Sequence, residues 1–168
     1  MRVSPGEQVT VKLSVNGIVH DVAVESRWLL SDVLRHQLGL TGTHVGCENG
    51  ACGCCTVIVS GQPARACLLF AIQLEGAEIE TVESLAAPDG ELHPLQESFR
   101  RHHGLQCGFC TPGQLMNAKP LYRQAPEMPD CELRSALSGM ICRCTGYQGI
   151  VDAVRDAARI EDEREDAK

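Results

Sequence analysis

The chain has 168 residues, 43% of them hydrophobic, which is enough for one ordinary domain or two small ones. A formal net charge of −7, with one Trp, two Tyr and three Phe, argues against nucleic acid as a partner: the surface repels phosphates and offers bases little to stack on. Ten cysteines are many for this length, and no signal peptide or long apolar run accompanies them. The expectation is a cytoplasmic protein without a membrane span, whose grouped cysteines bind metal rather than staple a secreted fold.

Residues 1 to 8 read as a loose lead-in. From Val9 to Val15 apolar and polar residues alternate, the signature of a half-buried strand. Asn16-Gly17 is a two-residue hairpin turn, and Ile18 to Val24 alternates again as the return strand. Between Trp28 and Leu38 the period changes: Leu30, Val33, Leu34 and Leu38 recur at helical spacing, and Gly39 follows as a C-cap. Thr56 to Val59 is a short β-branched strand, Ser60 to Pro63 a turn, and Ala64 to Cys67 the strand that pairs back. Leu68 to Gln73 reads as a helical turn and Ala77 to Val82 as a last strand. Together these make a small mixed sheet packed on one helix.

Ala86 to Gly90, the run AAPDG, breaks the pattern and marks a domain boundary. The first domain is expected over 8–85 and a second, helical one over 90–160. Leu95 to His102 is helical in character. Thr111-Pro112 reads as an N-cap with proline at the first helical position, in a helix running towards Arg123 that Pro120 must kink or end. Asp130 caps a third helix to Leu137. A fourth carries Ile150, Val154, Ala157 and Ala158 on one face, and the charged tail Glu161 to Lys168 reads as frayed. Four short helices suggest a compact bundle.

Two cysteine groups carry the chemistry. In Gly46 to Cys55, GCENGACGCC, the residues Cys47, Cys52 and Cys55 stand as C-x4-C-x2-C, with Cys67 returning from a later segment. Three thiolates on one loop plus a fourth from elsewhere suit a plant-type [2Fe–2S] cluster better than a zinc knuckle built from two similar pairs. Gly46, Gly50 and Gly53 let the loop turn its amide N–H groups inward. The second group joins Cys107 and Cys110 to Cys142 and Cys144. By spacing alone it stays open between a cluster, zinc, and a redox disulfide at Cys107 and Cys110. Cys54 lies among the ligands of the first loop and reads as a packed small side chain, Cys131 as a surface or packing residue. His44, the histidine nearest the cluster loop, reads as structural or solvent-facing, and His102 and His103 as the polar end of a helix.

GCENGACGCCTV at Gly46 to Val57, LQCGFCTPG at Leu105 to Gly113 and CRCTGYQ at Cys142 to Gln148 together resemble the small iron–sulfur subunit of molybdenum hydroxylases of the xanthine oxidase type. The group includes aldehyde oxidoreductases, bacterial N-heterocycle dehydrogenases and aerobic carbon monoxide dehydrogenase, and the likeness runs from about Val11 to Ala158. It implies an α+β fold, a β-grasp ferredoxin-like domain followed by a four-helix bundle domain, each with one [2Fe–2S] cluster. Cys47, Cys52, Cys55 and Cys67 then hold the N-terminal cluster, and Cys107, Cys110, Cys142 and Cys144 the second. Gln106 matches the glutamine that hydrogen-bonds the pterin of the molybdenum cofactor. The implied partners are a large molybdopterin-binding subunit, with the cofactor as its cytosine dinucleotide, and a medium FAD-binding subunit, in a dimer of heterotrimers.

The expected function follows: an electron-transfer subunit carrying electrons from molybdenum through the C-terminal and then the N-terminal cluster to FAD, during hydroxylation of an N-heteroaromatic substrate. The alternatives are the small subunit of a carbon monoxide or aldehyde dehydrogenase, a free-standing ferredoxin, and a zinc-stabilised interaction module. Arg143, between two ligands, and the glycine-rich loop amides are the expected tuners of potential. The enzyme activity belongs to the complex, and no residue of this chain is expected to be catalytic.

Overall fold

The computed structural model describes residue 4 and residues 6–166. Of the lead-in expected over residues 1 to 8, residues 1–3 and 5 lie outside that range. Strands β1 (Gln8–Val15) and β2 (Ile18–Glu25) pair antiparallel, from Gln8 opposite Glu25 to Val15 opposite Ile18. Asn16 and Gly17 both take positive φ, 52° and 80°, as the two-residue turn requires. The alternation buries Val11, Leu13, Val15, Val22 and Val24 on one face.

The helix expected from Trp28 to Leu38 is shorter and changes type. α1 (Leu30–Asp32) makes one turn, and Val33–Gln37 continues it as a π-helix closed by Leu38 N–H to Val33 O at 3.0 Å. So short a helix has little stability of its own, and burying Leu30, Val33 and Leu34 completely sets its geometry instead. Gly39, at φ 70°, ends it as expected.

β3 (Thr56–Val59) and β4 (Gln62–Arg65) form a second hairpin whose turn is Ser60-Gly61 alone, both at positive φ. The expected longer turn and later return strand are therefore corrected: Pro63 sits inside β4, opposite Ile58. It is tolerated because β4 is an edge strand in the sheet order β2-β1-β5-β3-β4. Ala66–Leu68 and Ala71–Leu74 are 3₁₀ turns. β5 (Glu78–Glu80) runs parallel to β1 and antiparallel to β3. It is shorter than expected because Thr81 N–H leaves the ladder for Asn16 Oδ1 at 2.8 Å, and Val82–Ser84 turns away.

Four helices follow: α2 (Pro94–Arg101), α3 (Thr111–Ala118), α4 (Asp130–Leu137) and α5 (Gln148–Asp166). His93 caps α2, its Nδ1 accepting from Leu95 N–H while Gln96 reaches back to His93 N–H. Two expected caps are corrected. Thr111 is already the first helical residue of α3, after Cys110, and its hydroxyl has no partner. Asp130 is likewise inside α4 and binds Arg134 and Arg155. α3 stops at Ala118, ahead of Pro120, rather than running towards Arg123. α5 does not fray at Glu161: Ile160 is buried, Tyr122 Oη and Arg123 both donate to Glu161 at 2.5 Å, and Arg164 binds Leu92 O and Glu97. The helix holds to Asp166, and residues 167–168 lie outside the described range.

Two apolar cores result. One joins the sheet to α1 and includes Cys55 and Cys67. The other fills the helical half around Leu95, Phe99, Met116, Leu133 and Ile150, and draws in Cys54 and Ile58 from the first half. The halves therefore pack directly, α3 against β3, with Lys119 paired to Glu80.

Candidate metal centre

The loop after α1 turns its amides towards sulfur, as its glycines led one to expect. Cys52 N–H lies 3.4 Å from Cys47 Sγ. The amides of Cys52 and Asn49, with that of Ala51 and against a small cost of burial, lower the Cys47 thiol to about 7. Cys67 approaches Cys55; burial and that neighbour raise it to about 11, against the opposing amide of Gly50. The first group thus meets in two pairs, Cys47 with Cys52 and Cys55 with Cys67.

The second group pairs the same way. Cys144 Sγ lies 3.5 Å from Cys107 Sγ, both exposed. Cys110 faces Cys142, both buried; burial and that neighbour push Cys110 up to about 12. Burial also works against the Cys142 thiolate, but the hydroxyl and amide of Thr145, at 3.1 and 3.5 Å from its sulfur, outweigh it and lower the thiol. All ten cysteines are free, and the pairing across the two loops displaces the reading of a Cys107–Cys110 disulfide.

Among the described residues no three His, Cys, Asp or Glu side chains close round the position of a single ion. Pairs of thiols are what a binuclear cluster asks for, two cysteines to each iron. The donor set fits in a second respect. Amides and a hydroxyl already point at sulfur, and Thr111 Oγ1, next in sequence to Cys110, is a buried donor without a partner. When bound, a [2Fe–2S] cluster supplies one-electron oxidation and reduction without proton chemistry.

The two groups lie on either side of one tight interface. Ile141 N–H donates to Cys52 O at 2.9 Å, so the residue before Cys142 is bonded to a cysteine of the first group. Arg65 donates to Gly139 O at 2.6 Å. A Cβ on Gly53 would stand 2.4 Å from Met140 Sδ, and one on Gly113 would stand 2.7 Å from Gly53 O. A side chain at either position would force the seam to shift. His44 spans the seam: its ring stacks on Phe109, centroids 4.9 Å apart, and its Nδ1–H donates to Phe109 O at 2.8 Å.

The remaining expected residues fall as follows. Gln106 is exposed beside Cys107. Cys54 is buried within the helical core, in contact with Cys52 and sensed by Cys110, and burial raises its thiol to about 12. Cys131 is exposed. His102 binds Asp156 at 2.9 Å at the end of α2, and Arg143 is exposed. What sequence reasoning missed is Thr145 and Tyr147: Tyr147 Oη accepts Cys142 N–H at 2.9 Å, and Tyr147 N–H donates to Thr145 Oγ1 at 3.2 Å. A threonine three residues after a cysteine was the available signal, since Ser and Thr hydroxyls bond locally.

Fold and paired thiols define a two-domain iron–sulfur protein, and the comparisons agree. The family of 2Fe-2S iron-sulfur cluster binding domains matches residues 13–86, and that of [2Fe-2S] binding domains matches 81–155. The chain is 55% identical over 151 residues, 89% of it and 94% of the relative, to the β subunit of the 6-hydroxypseudooxynicotine dehydrogenase complex of Paenarthrobacter nicotinovorans. It is 50% identical over 153 residues, 88% of it and 90% of the relative, to the γ subunit of caffeine dehydrogenase of a Pseudomonas species. Among solved structures it matches a chain of quinoline 2-oxidoreductase from Pseudomonas putida with a TM-score of 0.87 and 47% identity, over 94% of this chain and 97% of that one. This chain belongs to the small [2Fe–2S] subunits of the xanthine oxidase-type molybdenum hydroxylases. Zinc-module readings fall with that membership. Among the described residues no helix is long and apolar enough to cross a membrane.

Proposed function

We propose that this chain carries electrons from a molybdopterin centre on a large partner subunit to FAD on a medium one. Cys47, Cys52, Cys55 and Cys67 hold the N-terminal cluster, in a domain over 8–85. Cys107, Cys110, Cys142 and Cys144 hold the second, in a domain over 90–160. The observation that carries the reading is the bond from Ile141 N–H to Cys52 O, which joins the two thiol groups through packed protein. A free-standing ferredoxin needs no such second group.

The exposed pair Cys107 and Cys144 stands beside Gln106, with exposed Leu105, Phe109, Ile141 and Tyr147 within three residues of the two cysteines in sequence. Exposed large apolar residues gathered round a redox site suit a protein partner, and a glutamine amide both donates and accepts, as a pterin edge does. These features support the molybdenum side at the C-terminal cluster. The substrate class rests on the relatives named for nicotine-derived, caffeine and quinoline chemistry, which favour N-heteroaromatic hydroxylation over carbon monoxide or an aldehyde. The assembly proposed with it is a dimer of heterotrimers in the cytoplasm, as the family resemblance implies.

Iron and labile-sulfide analysis of the purified chain, with a visible spectrum, tests the core of this. The expected result is about four iron and four sulfide per chain. A colourless protein holding zinc would overturn it. Gel filtration from the native source is expected to place the chain in a complex containing molybdenum and flavin; recovery as an active 18.2 kDa monomer would count against the assembly.

A further inference from the structure

We propose that Thr145 sets the reduction potential of the C-terminal cluster through a hydrogen bond from its hydroxyl to the Cys142 sulfur. The inference rests on the reading of Cys142 as a ligand and adds a role that membership of the family does not assign.

The direction of the hydroxyl proton follows from its neighbours. Thr145 Oγ1 accepts the Tyr147 amide at 3.2 Å, which occupies a lone pair and leaves its own hydrogen to point elsewhere. Cys142 Sγ lies 3.1 Å away. Tyr147 closes the arrangement from the other end, its Oη accepting Cys142 N–H at 2.9 Å. One residue therefore holds both the sulfur-bearing residue and the donor aimed at that sulfur. Tyr147 does so at φ 70°, an uncommon conformation for a bulky side chain, held by the surrounding contacts. Among the described residues, no other thiol proposed as a ligand receives a side-chain hydroxyl. Cys107 and Cys144 meet each other, Cys110 meets Cys142, and Cys47 receives amides.

Reduction adds one electron to the oxidised cluster, from the reduced molybdenum centre in the enzyme or from dithionite in the test. No bond breaks and no proton moves. The added negative charge spreads onto the sulfurs, so a donor on a ligand sulfur stabilises the reduced form more than the oxidised one and raises the potential.

The test is a redox titration of the complex with dithionite and mediators, followed by EPR of each cluster, in Thr145→Val and Thr145→Ser. Val keeps the shape and loses the hydroxyl; Ser keeps the hydroxyl. The expected result is a shift of the C-terminal cluster to lower potential in T145V alone, with T145S and the N-terminal cluster at wild-type values. Electron–nuclear double resonance after exchange into D2O should show a deuteron coupled to the C-terminal cluster in wild type and T145S that T145V lacks. A wild-type potential in T145V, an equal shift of both clusters, or T145S behaving as T145V would each overturn the proposal. So would T145V failing to load the C-terminal cluster while T145S loads it, since the hydroxyl would then serve assembly. Iron content unchanged by Cys142→Ala would instead overturn the ligand reading beneath it.

Discussion

Cys54 and Cys55 are adjacent, both buried, and face opposite cores. On the proposed ligand set Cys54 is a packing thiol and Cys55 a ligand. Cys54→Ala is expected to keep full iron and both EPR signals while costing about 1 kcal/mol of stability, the usual scale of a small core truncation. Cys55→Ala is expected to lose the N-terminal cluster and with it about half of the iron. Equal iron loss in the two variants, by metal analysis, would reverse the assignment. Gln106 is exposed, and its proposed role is towards a partner's pterin rather than within this chain. Gln106→Leu would leave polar atoms of a buried pterin unpaired, at about 1–3 kcal/mol. Lower molybdenum retention or slower cluster reduction, with both clusters present, is the expected outcome. Wild-type values of both would remove the role.

Among the elements, α5 departs most from the sequence reading. EDERED over 161–166 shows no apolar period, so it reads as solvated tail; its partners Tyr122, Arg123, Leu92 and Glu97 come from distant sequence and are invisible locally. The π-turn after α1 escaped for the same reason, since tertiary burial of Val33 and Leu34 decides it. By contrast, the β1–β2 hairpin was legible from Asn16-Gly17 and simple alternation, because both signals are local. The cysteine groups were legible because spacing constrains which thiols share a loop, whereas Thr145 and Tyr147 act through bonds that a Thr-Gly-Tyr run does not announce. Removing residues 161–168 should therefore destabilise the helical half by about 2 kcal/mol, a loss of several degrees in Tm, measurable by thermal unfolding. The same region sets an acid limit. Arg159, against burial and with His102, holds the Asp156 carboxyl below its ordinary range. Burial would raise Glu97, but Arg164 and Arg101 hold it low too. A depressed carboxylate contributes stability above its unfolded pKa, and that contribution is lost as pH falls through the folded value. Tm should drop on acidification below about pH 4, the ordinary carboxylate range, and D156N should flatten that drop. An unchanged acid limb in D156N would remove Asp156 from the account.

At the scale of the whole molecule, the seam between the halves does the joining that a carrier with two centres needs. Gly53 and Gly113 bring backbone against backbone with the Met140 side chain packed on both, and Ile141 N–H bonds Cys52 O across the gap. Gly113→Ala would drive a methyl group into Gly53 O and Cys54 O, at 2.7 and 2.8 Å. The halves must then separate slightly, at a cost of about 1–3 kcal/mol for overpacking, and electron exchange between the clusters should slow while each cluster's iron stays. Stopped-flow reduction monitored at both clusters checks this, and unchanged rates would mean that the seam tolerates separation. On the proposed order the second group, with exposed Cys107, Cys144 and Gln106, meets molybdenum first and passes electrons on to the first group. Neighbouring paramagnets split one another's resonances, and the effect falls steeply with distance. In partly reduced complex the Mo(V) signal should therefore be split by one reduced cluster only. Cys142→Ala should abolish that splitting while molybdenum remains bound, and electrons should then stall at molybdenum. Cys55→Ala should keep the splitting and slow flavin reduction instead. If the splitting survives loss of the C-terminal cluster and vanishes with the N-terminal one, the order is reversed, and the exposed face around Gln106 must then meet a different partner.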